Sequence, residues 1–571
     1  MHFRRANRGM SFMDVIIGTA LMLVIFTALV GLLRSSIRVT AESKAGSIAT
    51  TLAESQMEYI RSLSYDAVGT VGGIPAGTIP QNSTTTQNGL TFMTHTFVAY
   101  TDDPADGLGS NDSNHVTTDY KTVKVGVTYS ISGQTRSVNL VSTYSPPGLE
   151  TSTGGGTLKI AVVNATGAAV PGASVRIFNT STSPSIDVTT FSDSDGIVYL
   201  GGAPTSTQYQ IAVTKDGYSS AQTYTRDANN QNPTPGYLTV VKDQTTTGTF
   251  AIDVLSSLEV ATYSPIATST WSDTLVTDSQ LADETNTGVI AGGISLAYSG
   301  GYAPSGSARS VPIAPTYLNR WSSANATLSV PAGTTAVFHI TDSTGALVPD
   351  TVLPGNASGF TSTVDLTGIS TTTYPLLGLS ADLTTSSTST TPVVQDWGLA
   401  YLRGPIPVPN IPYTLTGTKA IGTTGAGVPI IKTTVTTNTD VTGNSSNSLE
   451  WDSYAMAVPG YDVVDACNAP PIALSPGADV SSVLIVSTST SNMALVSAHD
   501  DSGAALAGAT ITLTKGGTVL TRQTSACGAA YFGSLSGGSY DISVSKSGYT
   551  TFSATAVPVS GQTFYAATLD N

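Results

Sequence analysis

Charge is scarce in this sequence. Asp, Glu, Lys and Arg make up only 11% of its 571 residues, where about a quarter is usual for soluble domains. Lys and Arg number 23 against 38 Asp and Glu, a net charge of −15. Acids in excess and so few cations leave nothing to neutralise phosphates, which excludes nucleic acid as a partner. Cysteine is nearly absent: Cys467 and Cys527 stand alone, and no Cys-x-x-Cys pair occurs. Zinc ribbons and thioredoxin-like chemistry are therefore excluded. The five histidines (His2, His95, His115, His339, His499) are scattered, without metal-ligand spacing. There is no Gly-x-x-x-x-Gly-Lys phosphate loop, no His-Glu-x-x-His and no Gly-x-Ser-x-Gly nucleophile elbow. The expectation is a protein that is not an enzyme. Paired carboxylates need only meet in space, so a glycan-active surface enzyme is kept as a distant reading.

Thr, Ser and Gly dominate what is present. That mixture suits strands, turns and an exposed, solvated surface, and the length implies about four or five domains. Long apolar runs are missing too, with one exception. After the short basic start MHFRRANRG, the segment Met10–Leu33 reads MSFMDVIIGTALMLVIFTALVGLL, with Asp14 its single charge. As a helix it spans about 36 Å, enough to cross a hydrocarbon core of about 30 Å. A helical stripe then continues through Ile37, Ala41, Ala45, Ile48, Leu52, Tyr59, Ile60 and Leu63, opposite Glu42, Lys44, Glu54, Glu58 and Arg61. Gly69, Gly72, Gly73 and Pro75 bring turn chemistry and end it.

This start resembles type IV prepilins and type II secretion pseudopilins. In that family a short basic leader ending in Gly is cut off, and an apolar helix follows with an acid at its fifth position. RRANRG followed by MSFMD fits that layout. Met stands where the family usually has Phe, and Asp where it usually has Glu. The resemblance covers roughly residues 1–145. It implies cleavage by a prepilin peptidase after Gly9, a new N-terminus at Met10, and a filament-assembly role for Asp14. Losing Arg4, Arg5 and Arg8 would take the net charge from −15 to −18. A carboxylate inside a membrane helix costs about 2.5–3.5 kcal/mol on insertion scales, so it needs a reason. In the family the acid pairs with the N-terminal amine of a subunit in the filament. A plain signal-anchor helix, with Asp14 near the interface, is the alternative.

Residues 66–147 alternate strands with polar loops, and KTVKVGVTY and RSVNLVSTY read as a hairpin that packs on the amphipathic half-helix. Before it, Asp102, Asp103, Asp106, Asp112 and Asp119 lie in one acidic loop. They offer oxygen ligands for Ca2+ without EF-hand spacing; a solvated loop is the alternative. Ser145–Gly156, SPPGLETSTGGG, reads as a flexible joint.

A repeat follows. Gly172, Gly196, Tyr199, Tyr209 and Gly217-Tyr218 recur as Gly508, Gly528, Tyr531, Tyr540 and Gly548-Tyr549, and a weaker copy spans 425–464. These copies resemble carboxypeptidase regulatory-like, transthyretin-like modules, which implies non-catalytic β-sandwiches acting as spacers or as carbohydrate- or protein-binding units. Between them, residues 246–405 read as a jelly-roll-like sandwich with Trp271, Trp321 and Trp397 in its core or rim. Cys467 ends the weaker copy, and Cys527 replaces the Asp of an Asp-Gly turn in the last one. In an exported chain two cysteines most simply form one disulfide, here joining neighbouring sandwiches; two free thiols are the alternative.

The fold class expected is α+β: a long N-terminal transmembrane and amphipathic helix with a pilin-like β head, then a tandem array of all-β sandwiches. The divisions are 1–9 leader, 10–65 helix with 10–33 in the membrane, 66–147 head, 148–156 linker, then sandwiches at 157–245, 246–405, 406–488 and 489–571. The function expected is a minor or tip-located subunit of a type IV pilus or pseudopilus in a bacterium. It would sit in the inner (cytoplasmic) membrane before assembly and on the cell surface or in an extracellular filament afterwards. Expected partners are other pilin subunits, the assembly machinery, the peptidase, membrane lipid and a surface glycan or protein ligand; no cofactor is expected unless Ca2+. The alternative is a single-helix anchored adhesin that does not polymerise.

Overall fold

The structure, a computed structural model, describes residues 12–103, 105, 118–131, 133–147, 154–290 and 292–571. One long N-terminal apolar helix leads into many β-sheets, and these strands form two compact units. The first contains the chain up to Leu255 together with Lys419–Lys432 and Leu449–Trp451; the second contains Ser256–Thr418, Thr433–Ser448 and Asp452–Asn571.

In the first unit, helix α1 runs unbroken over Phe12–Arg61. It contains no proline, and its Ser and Thr hydroxyls bond back one turn, as Thr27 does to Leu23 O at 3.0 Å and Thr40 to Ser36 O at 2.9 Å. Its second half packs on a four-stranded antiparallel meander of β1 (Asn82–Gln87), β2 (Leu90–Thr101), β3 (Tyr120–Ile131) and β4 (Gln134–Tyr144). The buried stripe is Ala45, Ala49, Ala53, Met57 and Ile60 against Phe92, Val98, Val123, Val125 and Val127. The stripe expected from the sequence shares Ala45 and Ile60 with this one, but Ala49 and Ala53 take the places read for Ile48 and Leu52. Ile48, Leu52 and Leu63 flank it half-buried, and Ile37 and Tyr59 are exposed. The cause is size: three alanines let the helix backbone approach a sheet that itself supplies the bulk.

Strands β5 (Gly156–Val163), β6 (Ser174–Asn179), β7 (Ile186–Phe191), β8 (Ile197–Ala203) and β9 (Ser206–Thr214) build the first sandwich. One of its sheets is continuous with the head: Tyr100 of β2 pairs with Gly201 of β8. Asp187 N–H donates to Gly72 O at 2.9 Å, and the Gln81 side chain bonds Val71 O at 2.7 Å and Thr189 N at 3.2 Å. Head and first sandwich, on either side of the expected joint, are thus hydrogen-bonded to each other. Its second sheet, β7-β6-β9, closes over Leu158, Ile160, Val175, Ile177 and Tyr209. The hairpin of Ala420–Thr423 and Pro429–Ile431 adds to Asn232–Pro233 at its margin.

The second unit holds three sandwiches. The middle one packs Val393–Arg403 and Leu318–Ser329 over Gly378–Thr385 and Thr334–Thr341, with Trp321, Trp397 and Phe338 fully buried. Trp321 Nε1 donates to Tyr374 O at 2.9 Å, and Trp271 is partly buried against the same core. Residues 246–405 do not share one sheet set, however. Thr245–Ala251 pairs with β5 and closes the first sandwich. Ser256–Tyr263 pairs in parallel with Asp479–Thr488, more than 200 residues later. The middle sandwich is therefore inserted within the third. The last sandwich repeats the first: Met493–Asp500 pairs in parallel with Gln562–Leu569, as β5 does with Thr245–Ala251. In all three of these sandwiches the first and last strands lie side by side and run the same way.

Candidate functional site

The anchor comes first in the chain. Most described apolar side chains of the helix between Leu21 and Leu33 are exposed, Met22 at 71% and Leu32 at 69%, whereas Ala49 and Ile60 are at 0%. One helix therefore carries an apolar sleeve without a protein partner and a second half committed to its own head. Among the described residues it is the one helix long and apolar enough to cross a membrane. Arg38 pairs with Glu42 at 2.9 Å just beyond the sleeve, and Arg136 of β4 approaches the same carboxylate at 3.7 Å. These are exposed pairs, each worth at most about 0.5 kcal/mol. Asp14 lies in the first turn of α1; Gly9 and Met10 lie outside the described residues.

The turn that follows the helix is held from the sheet. Lys121 of β3 is buried among the apolar face, and its Nζ donates to Tyr65 O at 2.7 Å and Val68 O at 2.8 Å. Burial pushes its ammonium below the ordinary lysine value, with Asp66 opposing the shift. Of the acidic loop, Asp106 and Asp112 lie outside the described residues. Asp119 is buried and accepts the Asp103 N–H, while Asp103 accepts the Ala105 N–H at 3.0 Å. Among the described residues no three Asp, Glu, His or Cys side chains converge on a metal-sized site.

The distal junction joins the third and last sandwiches. Cys467, ending strand Tyr461–Cys467, is disulfide-bonded to Cys527, with Cα atoms 4.6 Å apart. Polar bonds surround it. Tyr531 Oη donates to Asp462 Oδ2 at 2.7 Å, Thr490 Oγ1 to the same oxygen at 2.7 Å, and Ser525 Oγ to Asp465 Oδ1 at 2.7 Å. Val458 N donates to Gln562 Oε1 at 2.7 Å. Burial, helped by the Asp462 carboxylate, pushes the Tyr531 phenol up to about 12. A covalent bond ringed by charge-assisted hydrogen bonds resists both twisting and separation.

The repeat landmarks are conformational. Gly196 and Gly528 have φ of 73° and 76°, and a Cβ there would meet Val162 O at 2.5 Å and Ala498 O at 2.9 Å. Sequence reading missed a further shared element, a corner built on the pattern Asn/Asp-x-Ser/Thr-Gly and found in each of the four sandwiches. It begins at Asn164, Asp342, Asp440 and Asp500. In each, one Oδ1 accepts two backbone N–H groups and a hydroxyl; at Asp440 these are Thr442 N at 2.7 Å, Thr442 Oγ1 at 2.7 Å and Asn444 N at 3.0 Å. The hydrogen bonds hold all three carboxyls below the usual carboxylate range, the Thr344 hydroxyl leading at Asp342, the Asn444 amide at Asp440 and the Ser502 hydroxyl at Asp500. The four-residue pattern is visible in the sequence once its spacing is known.

With this geometry in place, residues 496–570 match the carboxypeptidase regulatory-like domain family. The match covers the last sandwich and not the whole chain. A search of curated proteins finds no match. Among solved structures, the TIE protein of Bacillus anthracis is 12% identical, with 86% of this chain and 73% of that one covered at a TM-score of 0.15. The major pilin subunit of Bacillus cereus is 10% identical, with 73% and 99% covered at 0.14. The minor pilin of Streptococcus agalactiae is 13% identical, with 29% and 85% covered at 0.13. At such scores these likenesses carry no argument about what the chain does.

Proposed function

We propose that this chain is a membrane-anchored, non-enzymatic structural subunit of a type IV pilus or a related secretion pseudopilus. It is minor or tip-located, and its sandwiches form a stalk that presents a surface for adhesion. The observation that carries the reading is the division of α1 into an apolar stretch, exposed over most of Leu21–Leu33, and a second half packed on its own head. Such a helix needs lipid before assembly and neighbouring helices after it. The leader reading adds cleavage by a prepilin peptidase between Gly9 and Met10, freeing an amine for Asp14 of another subunit. The bulk of the sandwiches argues for few copies per filament, because a head of this size on every subunit would crowd the wall. Binding of Ca2+ by the 102–119 loop belongs to the proposal only through its described acids, Asp102, Asp103 and Asp119.

N-terminal sequencing and intact mass of the membrane-extracted protein test it. A chain starting at Met10 is expected. A chain that keeps Met1 overturns the pilus reading and leaves an anchored adhesin that does not polymerise.

A further inference from the structure

A cavity of about 590 Å³ opens in the first unit where the head sheet meets the first sandwich. Strands β2 and β3 form one wall, and β5, β7 and β8 the other. Its chemistry is mixed in a particular way. Phe191 and Tyr199 stand about half exposed at its wall, at 48% and 49%, whereas most of the other described aromatics are buried or half-buried. His95 braces the Phe191 ring edge-on at 6.0 Å. Lys124 of β3 and Lys159 of β5 line it from opposite walls, and threonines such as Thr122 and Thr157 line it too. Among the described residues the lysine ion pairs are those of Lys242, Lys419 and Lys432, so neither cavity lysine has a carboxylate within 4.0 Å. Two carboxylates also line the cavity, Asp102 and Asp193. One oxygen of Asp193 is taken by its own turn, accepting Asp195 N at 2.9 Å and Ile197 N at 2.8 Å.

The internal repeat says what this wall is for. Tyr199 pairs across strands with Lys159, and its counterpart Tyr531 pairs across strands with Leu495. In the last sandwich this face is covered, and Tyr531 donates to a carboxylate, that of Asp462 on the neighbouring sandwich. In the first sandwich the same tyrosine faces a cavity, no described carboxylate accepts from it, and a lysine replaces the apolar neighbour. Lys159 Nζ stands 5.6 Å from the Tyr199 ring centroid. The module thus keeps a tyrosine that meets a carboxylate, adds a cation beside it and leaves the place open.

We propose that this cavity binds a carboxylated oligosaccharide of the uronic-acid type. Lys124, Lys159 and the Tyr199 hydroxyl take the carboxylates, the faces of Tyr199 and Phe191 stack on pyranose rings, and the threonines and the Asp193 side chain bond sugar hydroxyls. A neutral sugar would leave two desolvated ammonium groups unmatched. An acidic peptide would use the lysines but leave the hydroxyl lining without its counterpart. This goes beyond the pilus reading and does not depend on filament assembly.

The test is calorimetric titration of the detergent-solubilised full chain with a galacturonate tetramer, a neutral galactose tetramer and a tetraglutamate peptide. Galacturonate should bind at least tenfold more tightly than neutral galactose, since a matched charge-assisted bond is worth about a factor of ten or more, and at least tenfold more tightly than tetraglutamate, which leaves the hydroxyl lining and the aromatic faces without sugar partners. Lys159→Gln should weaken binding about tenfold, and Tyr199→Ala should abolish it, with melting temperature unchanged because both side chains are partly exposed. No binding of galacturonate overturns the proposal, as does equal or tighter binding of either other probe, or binding indifferent to both substitutions. A chain found uncut at Met1 would sink the pilus reading while leaving this result to stand or fall alone.

Discussion

Cutting the Cys467–Cys527 bond should lower the thermal stability of the last sandwich in a measurable way. The bond closes a sequence separation of 60. In the chain-entropy description, a loop of that length restricts the unfolded chain by about 4 kcal/mol at 25 °C. The folded junction should survive, because the bonds from Tyr531 and Thr490 to Asp462 and from Ser525 to Asp465 do not involve sulfur. The loss is therefore expected through the unfolded state. For a sandwich of this size about 1 kcal/mol moves the midpoint by about 4–8 °C, so reduction should lower the transition of the last sandwich by about 15–30 °C. Scanning calorimetry of the detergent-solubilised chain, with and without reductant, reads this directly. The first sandwich has no cysteine, so its transition is an internal control. A Cys467→Ser/Cys527→Ser double variant should match the reduced protein. A shift under about 3 °C, an equal shift in both transitions, or free thiols in the unreduced chain would refute the reasoning.

Four other outcomes are expected. Ile60→Ala should destabilise the head by about 2–5 kcal/mol, because Ile60 is fully buried against the meander, whereas Ile37→Ala should leave the melting of the head unchanged. Gly196→Ala should cost the first sandwich more than about 2 kcal/mol, through positive φ and a blocked Cβ; Gly172→Ala, with φ of 69° and open space, should cost about 1. The depressed carboxyls of Asp342, Asp440 and Asp500 stabilise their corners above the unfolded value, and that contribution fades as pH falls through the folded value, so melting temperatures should drop below about pH 4. Asp500→Asn keeps the acceptor and should flatten that acid slope for the last sandwich, and Asn164→Asp should introduce one in the first. Asp14→Ala should insert into membranes normally yet fail to enter filaments; normal incorporation, seen by immunogold microscopy, would remove the role given to that acid.

Local periodicity made much of the fold legible. The helix, the hairpin of β3 and β4, the paired repeat landmarks and the buried Trp321 and Trp397 all follow from patterns within a few tens of residues. Most of what escaped has no local signal. The face of α1 that packs inward depends on the size of the residues opposite it, so Ala49 and Ala53 displace the larger Ile48 and Leu52. The pairing of Ser256–Tyr263 with Asp479–Thr488 joins two ordinary β stretches across an inserted sandwich, and neither stretch encodes its partner. The wall of the cavity needs strands from two bodies, and Lys124 and Lys159 read on their own as surface lysines. The Asn/Asp-x-Ser/Thr-Gly corners do carry a local signal, but each is only four residues long, and the same form recurs at Asn356 and Asp365.

The parallel pairing of first and last strands has a mechanical meaning. When two such strands run side by side in one direction, the chain enters at one end of the pair and leaves at the other. A pull along the chain then tries to slide the strands past each other. All the hydrogen bonds of the pair must fail together, instead of opening one by one like a zip. Thr245–Ala251 with β5, Ser256–Tyr263 with Asp479–Thr488, and Met493–Asp500 with Gln562–Leu569 are three clamps of this kind in series. The middle sandwich, entering after Tyr263 and leaving before Asp479, hangs from the second clamp as a side branch. While that clamp holds, tension on an anchored chain bypasses it, and whatever the middle sandwich carries is shielded from the load.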